Sequence, residues 1–243
     1  MDQVGILPAS RCRVAAREPS GEDELLVLDG AGTAAETMVA LASRLVSGVD
    51  EWLELPAADL AAAALLVRRV WIGRTIRTDA LCPAPDCGER IDIAFSVDDY
   101  LEHHRPRSYR GVTEPEPRVY ELAGTRFRVP TIGDLLAGTL TACIGEGATP
   151  AVERRIERAL EALAPPLSGA LAGVCPECGA TVELWFEPID YTLAELREAA
   201  APLFQHVHEL ASAYHWSEQA ILALDRRRRH RYVELVREEV VVL

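Results

Sequence analysis

Two stretches of this chain are close copies of one another: LCPAPDCGERIDIAF carries Cys82 and Cys87, and VCPECGATVELWF carries Cys175 and Cys178. Each passes from an apolar residue into Cys-Pro, a short spacer, Cys-Gly and then an alternating apolar segment. A turn of this kind wraps backbone around a metal ion. Proline stiffens it, and glycine takes the positive φ that lets backbone amides face the second sulfur. Two such knuckles supply four thiolates, a full tetrahedral shell for zinc. The expected site is therefore Cys82, Cys87, Cys175 and Cys178 around one structural Zn2+.

Far more chain separates the two halves of that site than the roughly 15 to 20 residues of a compact four-cysteine module, so the site must join distant parts of the fold. A surface disulfide or unrelated free thiols is the competing reading. It does not account for repeated Cys-Pro and Cys-Gly pairs followed by matching strands. Iron is chemically allowed in a four-thiolate shell, but zinc is its commoner intracellular occupant. Cys12 and Cys143 stand outside the pattern and are expected to be small buried hydrophobes. His103 and His104 invite a ligand assignment, but four thiolates already close the shell.

Net charge is −13 and all 25 basic residues are arginine, which argues against generic phosphate binding. Apolar residues make up 49% of the chain, and no run approaches the ~18 uninterrupted apolar residues of a membrane span. MDQVGILPASRC has neither the basic start nor the apolar core of a secretory signal. The expectation is a cytoplasmic protein that binds neither membrane nor nucleic acid, in a compartment where paired cysteines hold metal rather than a disulfide.

Periodicity predicts an α+β fold, with helices around a small antiparallel sheet built from the two zinc-knuckle β-hairpins. Residues 1–32 read as a poorly defined arm with one edge strand at Leu25–Leu28, and residues 33–243 as a single body. Thr33 and Glu36 form a capping box for a helix reaching about Ser47. Pro56 opens a second helix with Leu60, Ala64, Val67 and Trp71 on its inner face, Arg68 and Arg69 outside, and Gly73 as its stop. The knuckle hairpins occupy 81–96 and 174–187, and the two are expected to pair in one sheet. Val97–His104 reads as a short turn or helix, and Ala123-Gly124 as the turn of another hairpin. A helical insertion spans 130–164. Its first helix, capped by Thr131 and Asp134, should run to about Cys143 with Leu136, Leu140 and Cys143 inward, and its second should cover 150–163. C-terminal helices cover 192–238, starting from a Thr192/Glu195 capping box, breaking near Pro202 and restarting at Ser217, which Trp216 and Ile221 flank as a hydrophobic staple. The arginine run Arg226–Arg231, interrupted by His230, reads as an intramolecular or protein-facing surface rather than a nucleic-acid patch.

No nucleophile elbow, phosphate loop, zinc-protease helix or dinucleotide fingerprint is present in the sequence. A catalytic zinc keeps an open position, whereas four cysteines fill the shell. The expected protein is therefore not an enzyme and carries no catalytic residues. The alternatives are a zinc-ribbon nucleic-acid adaptor or an enzyme with an unrecognised site.

In the stretches CPAPDCGERIDIAFSVDDYL, FRVPTIGDLLA, CPECGATVELWFEPIDY and HELASAYHWSEQAILALDRRRRHRYVELV, the chain resembles the baseplate hub assembly chaperone family of contractile-tailed (T-even-like) phages and bacterial contractile injection systems. The last stretch is the most specific, because no folding rule demands it. The resemblance implies a non-enzymatic assembly factor or structural component of a phage-like tail. Its partners would be baseplate, hub or spike proteins, met through the aromatic- and arginine-rich C-terminal helices.

Overall fold

The computed structural model describes residues 3–139, 143–145 and 148–241. Strands β1 (Gln3–Ile6) and β2 (Arg13–Ala16) form a hairpin, and β3 (Val46–Ser47) extends it. Its turn is anchored from outside: buried Asp59 accepts the amides of Ala9 and Ser10, each at 2.9 Å. Next comes helix α1 (Gly21–Asp29), where a strand at Leu25–Leu28 was expected. Asp23 at the third helical position closes a capping box on Ser20, so the apolar run LLVL is read at helical period, with Val27 fully buried. Residues 3–32 are thus strands and a helix packed into the main core, not a loose arm.

Helix α2 (Ala34–Leu45) starts at the Thr33/Glu36 capping box and ends two residues before Ser47, where the chain joins the first sheet. Helix α3 (Ala57–Trp71) is the axis of the core. Every residue from Asp59 to Arg68 is buried, and its four consecutive alanines let neighbouring helices approach on all sides. The expected one-sided helix with an outward Arg68 is therefore corrected. Arg68 is 1% exposed and makes a bidentate pair with Glu195, while donating to the carbonyls of Gly73 and Thr75 at 2.6 and 3.0 Å. A guanidinium stays charged when buried, and acceptors around its fork offset the cost of taking it out of water.

Strands β4 (Thr75–Leu81) and β5 (Arg90–Ser96) make the first knuckle hairpin, followed by α4 (Val97–His103). A separate three-stranded sheet, β6 (Val112–Glu116), β7 (Val119–Leu122) and β8 (Thr125–Arg128), turns at Ala123-Gly124 and packs on α6 (Pro150–Leu163). Between them α5 (Ile132–Ala137) is shorter than expected. It stops at Gly138, whose φ is 68°, so Cys143 is not on this helix; Leu136 is 37% exposed, and Leu140 lies outside the described residues.

The second knuckle hairpin is β9 (Gly169–Val174) with β10 (Thr181–Phe186). The two knuckle hairpins are two separate two-stranded sheets, correcting the single sheet expected. Helix α7 (Pro188–Ala200) begins at Pro188 rather than at Thr192, which sits buried inside it. Proline at the first helical position costs nothing and starts the helix one turn earlier. Helices α1, α2, α3 and α7 share the principal core with the first sheet and α4.

The C-terminal helices α8 (Leu203–Tyr214), α9 (Glu218–Leu222) and α10 (Arg226–Val241) form their own cluster around Leu210, Ile221 and Val233. They dock on α1 through a buried charge cluster. Arg229 and Glu24, 0% and 1% exposed at their side chains, pair directly, and Arg226 approaches the same carboxylate at 3.5 Å. Gly21 makes this approach possible, since a Cβ there would lie 2.8 Å from the Leu222 backbone. The other arginines of the run stay at the surface: Arg227 pairs with Glu18 and Arg231 with Glu234, both at 3.2 Å.

Two outcomes are expected from this docking. Arg229→Ala leaves buried Glu24 with only Arg226 at 3.5 Å and should cost about 3–5 kcal/mol in urea unfolding. Exposed Arg227→Ala should stay within about 0.5 kcal/mol, and equal costs for the two would contradict the buried-pair account. Nearby, His206 is 5% exposed with its ring 4.7 Å from that of His230. Burial pushes its imidazole down to about 4, aided by His230, Arg229 and Arg237 and opposed by Glu209. Protons then bind more readily to the unfolded chain, so this contribution to stability is intact above pH 6.5 and is lost as pH falls toward 4. His206→Met should flatten the pH dependence of unfolding within that window, and an unchanged slope would remove His206 as its source.

Candidate metal centre

The two knuckle loops share one geometry despite their different lengths. In each, a three-residue turn ends in a positive-φ glycine, Gly88 at 62° and Gly179 at 74°. The two extra residues of the first loop are taken up before its turn, so Cys87 returns to the place that Cys178 occupies in the second. Backbone amides converge on the sulfurs: Ala84 on Cys82, Glu89 on Cys87, and Glu177 and Cys178 on Cys175. Pro83 and Pro176 have no amide hydrogen, so the turn presents the amides that follow them.

The fold brings all four sequence-identified cysteines together. Their sulfurs lie within 4.8 Å of one another, with Cys82 to Cys178 at 3.5 Å and Cys87 to Cys175 at 3.8 Å. A disulfide requires about 2.05 Å, and all four thiols are free. For sulfurs about 2.3 Å from a central zinc, a tetrahedron has edges of about 3.8 Å. The donor set fits a metal ion in kind and in spacing.

The electrostatics point the same way. The Cys178 amide leads the groups that draw the Cys175 thiol down to about 7. Cys82 receives the Ala84 amide, yet burial and the three neighbouring sulfurs push it up to about 12. Four sulfurs this close repel one another once they are charged, and a cation among them relieves that repulsion.

Around the sulfurs, Cys82, Cys175 and Val182 form a small apolar cluster with Ala80, Ala84, Cys87, Ile91 and Ala180 at its margin, separate from the main core. At the other end of the hairpins Phe95, Tyr100, Phe186 and Tyr191 pack with neighbouring ring centroids 5.2–5.3 Å apart. The Tyr191 hydroxyl donates to the Arg77 carbonyl at 2.7 Å, and that of Tyr100 donates to Leu167. The hairpins are therefore joined by sulfurs at their tips and by aromatic rings at their bases.

The remaining candidates lie elsewhere. His103 and His104 are on α4, outside the sulfur cluster, with His104 Nδ1 at 2.9 Å from the Tyr100 carbonyl. Cys12 packs at the edge of the main core, and Cys143 is buried 3.9 Å from Asp134. The sequence reading missed two features. One is the set of charges spent internally by Arg68, Arg226 and Arg229, for which the acidic partners Glu195 and Glu24 lie too far along the chain to be paired by inspection. The other is Trp185, 70% exposed on the outer side of β10. Its alternation with Leu184 and Phe186 was visible, but nothing in the sequence said that this side would stay uncovered.

Titration of the reduced, metal-free protein with Co2+ should saturate at one ion per chain, with the charge-transfer absorption of thiolate ligands. Cys82→Ser and Cys178→Ser should each abolish that spectrum and lower the unfolding midpoint, because binding free energy of such a site is folding free energy. Cys12→Ser and Cys143→Ser should leave it unchanged. A full spectrum in Cys82→Ser would remove that sulfur from the site.

No protein-family model, curated protein or solved structure matches this chain.

Proposed function

We propose that this chain is a non-enzymatic assembly factor or structural component of a phage-like contractile tail, acting at the baseplate or hub through protein contacts and held together by a structural Zn2+ on Cys82, Cys87, Cys175 and Cys178. The observation that carries the non-enzymatic part is the closed set of four sulfurs. A four-thiolate shell leaves no position for water or substrate, so the ion staples two hairpins rather than activating anything. Zinc is the favoured ion because it is the commoner occupant of such shells in a reducing compartment, and the cytoplasm is that compartment. The tail-assembly part is supported by the sequence resemblance, whose most specific stretch forms α8, α9 and α10.

The structure redirects where the contact is sought. Tyr214, Trp216 and Tyr232 pack on one another with ring centroids 5.0–6.1 Å apart, and Arg226 and Arg229 are committed to Glu24. The residues expected to face a partner largely hold α8–α10 together and onto α1. The same commitments weaken the nucleic-acid alternative, since they remove two cations from the arginine run of a chain whose net charge is −13.

Elemental analysis of protein purified without added chelator should give about one zinc per chain; iron in its place would correct the ion while keeping the staple. Deleting the gene should leave few complete sheathed particles by electron microscopy, and pull-down from the producing cell should recover spike, hub or baseplate proteins. Normal particles in the deletion strain would defeat the assembly role.

A further inference from the structure

The second knuckle hairpin presents a backbone edge whose chemistry specifies what can cover it. The Cys175 amide donates across the hairpin to the Ala180 carbonyl at 2.9 Å, which fixes the alternation of the β9–β10 ladder. Gly169, Leu171 and Gly173 therefore pair inward to β10, while the N–H and C=O groups of Ala170, Ala172 and Val174 point away from it. Among the described residues no other strand pairs with that side, and all three residues are exposed. β9 reads GALAGV, with none of the charges or prolines that ordinarily guard an edge, whereas the neighbouring β5 carries Arg90 and Asp92 on its own free edge.

A cleft of about 430 Å³ runs along this edge, between Gly169–Ala172 on one side and β5 with α4 on the other. Ile93, Phe95, Tyr100 and Leu171 give it a mainly apolar wall, with Asp99, His103 and His104 at the α4 side. On the outer face of the same hairpin Trp185 lies directly across from Ala170 and is 70% exposed, and Val174 is 68% exposed. A free strand edge, a cleft between that edge and a helix, and an uncovered Trp185 beside it are the parts of a site that takes an extended peptide as an added strand.

We propose that an extended, apolar segment of a partner polypeptide adds to the free edge of β9, pairing with Ala170, Ala172 and Val174. Side chains on one face of that segment enter the cleft between Phe95, Tyr100 and Leu171. Those on the other face lie beside Ala170, whose methyl group lets Trp185 reach across to them. Backbone pairing supplies the affinity, and the alternating side chains supply the selectivity. The inference rests on the reading that the chain works through protein contacts, but not on the tail-assembly role, so it can fail or stand whatever the deletion strain shows.

The test pans a random peptide library on the full-length, metal-loaded protein and measures selected peptides by fluorescence polarisation. Selected peptides should alternate apolar residues without proline, and binding should slow hydrogen exchange at the amides of Ala170, Ala172 and Val174. Ala172→Pro removes an edge donor that β10 does not use, and should weaken binding at least about tenfold. Ala172→Lys keeps every backbone group and places a charge on the edge, and it should weaken binding too. Both variants should keep the wild-type metal content. Failure to select any peptide, binding indifferent to Ala172→Lys, or protection mapping to another surface would each overturn the proposal. So would a wild-type dimer that Ala172→Lys dissociates, which would assign the edge to a second copy of this chain.

Discussion

Two isolated β-hairpins are marginal structures in water, and the part of this protein they form has only Cys82, Cys175 and Val182 fully buried at its centre. Apolar burial of that size does not hold four strands in register. The four sulfurs lie where one bound ion would do so, fixing the separation and direction of both turns at once. Everything at the free end of the hairpins follows from that constraint, including the facing of β4 toward β10 and the cleft left between β5 and β9.

The base of the same hairpins is governed differently. Phe95, Tyr100, Phe186 and Tyr191 belong to the main core or its margin, and the hydroxyls of Tyr100 and Tyr191 satisfy carbonyls of neighbouring segments. Arg68 does the same for Gly73 and Thr75 while holding Glu195 on α7. Polar atoms of the principal core thus close the backbone where helices meet strands, leaving the hairpins rigid at the root as well as at the tip.

How far the sequence could be read depended on how local the signal was. The two cysteine-bearing hairpin turns, the Thr33, Thr131 and Ser217 caps and the Ala123-Gly124 turn are each defined within a few residues, and all are present. Leu25–Leu28 was read as a strand because a short apolar run has no period of its own, and the Ser20/Asp23 capping box was overlooked. Charge alone predicts an exposed Arg68, and only tertiary pairing with Glu195 reverses it; for Arg229 an intramolecular role is among the expectations, but its partner Glu24 is not legible. The four-cysteine site was legible because its two halves repeat one another. The free edge of β9 was not, because an unpaired strand differs from a paired one only in what lies beside it.

Glu24 and Arg229 are separated by 205 positions along the chain. The carboxylate of α1 is therefore synthesised long before its guanidinium partner on α10. Burial of α1 without α10 leaves its carboxylate short of a partner, so docking of the one helix is tied to docking of the other. Opening of α10 therefore exposes α1 as well, and the two helices share one stability although they lie far apart in the sequence.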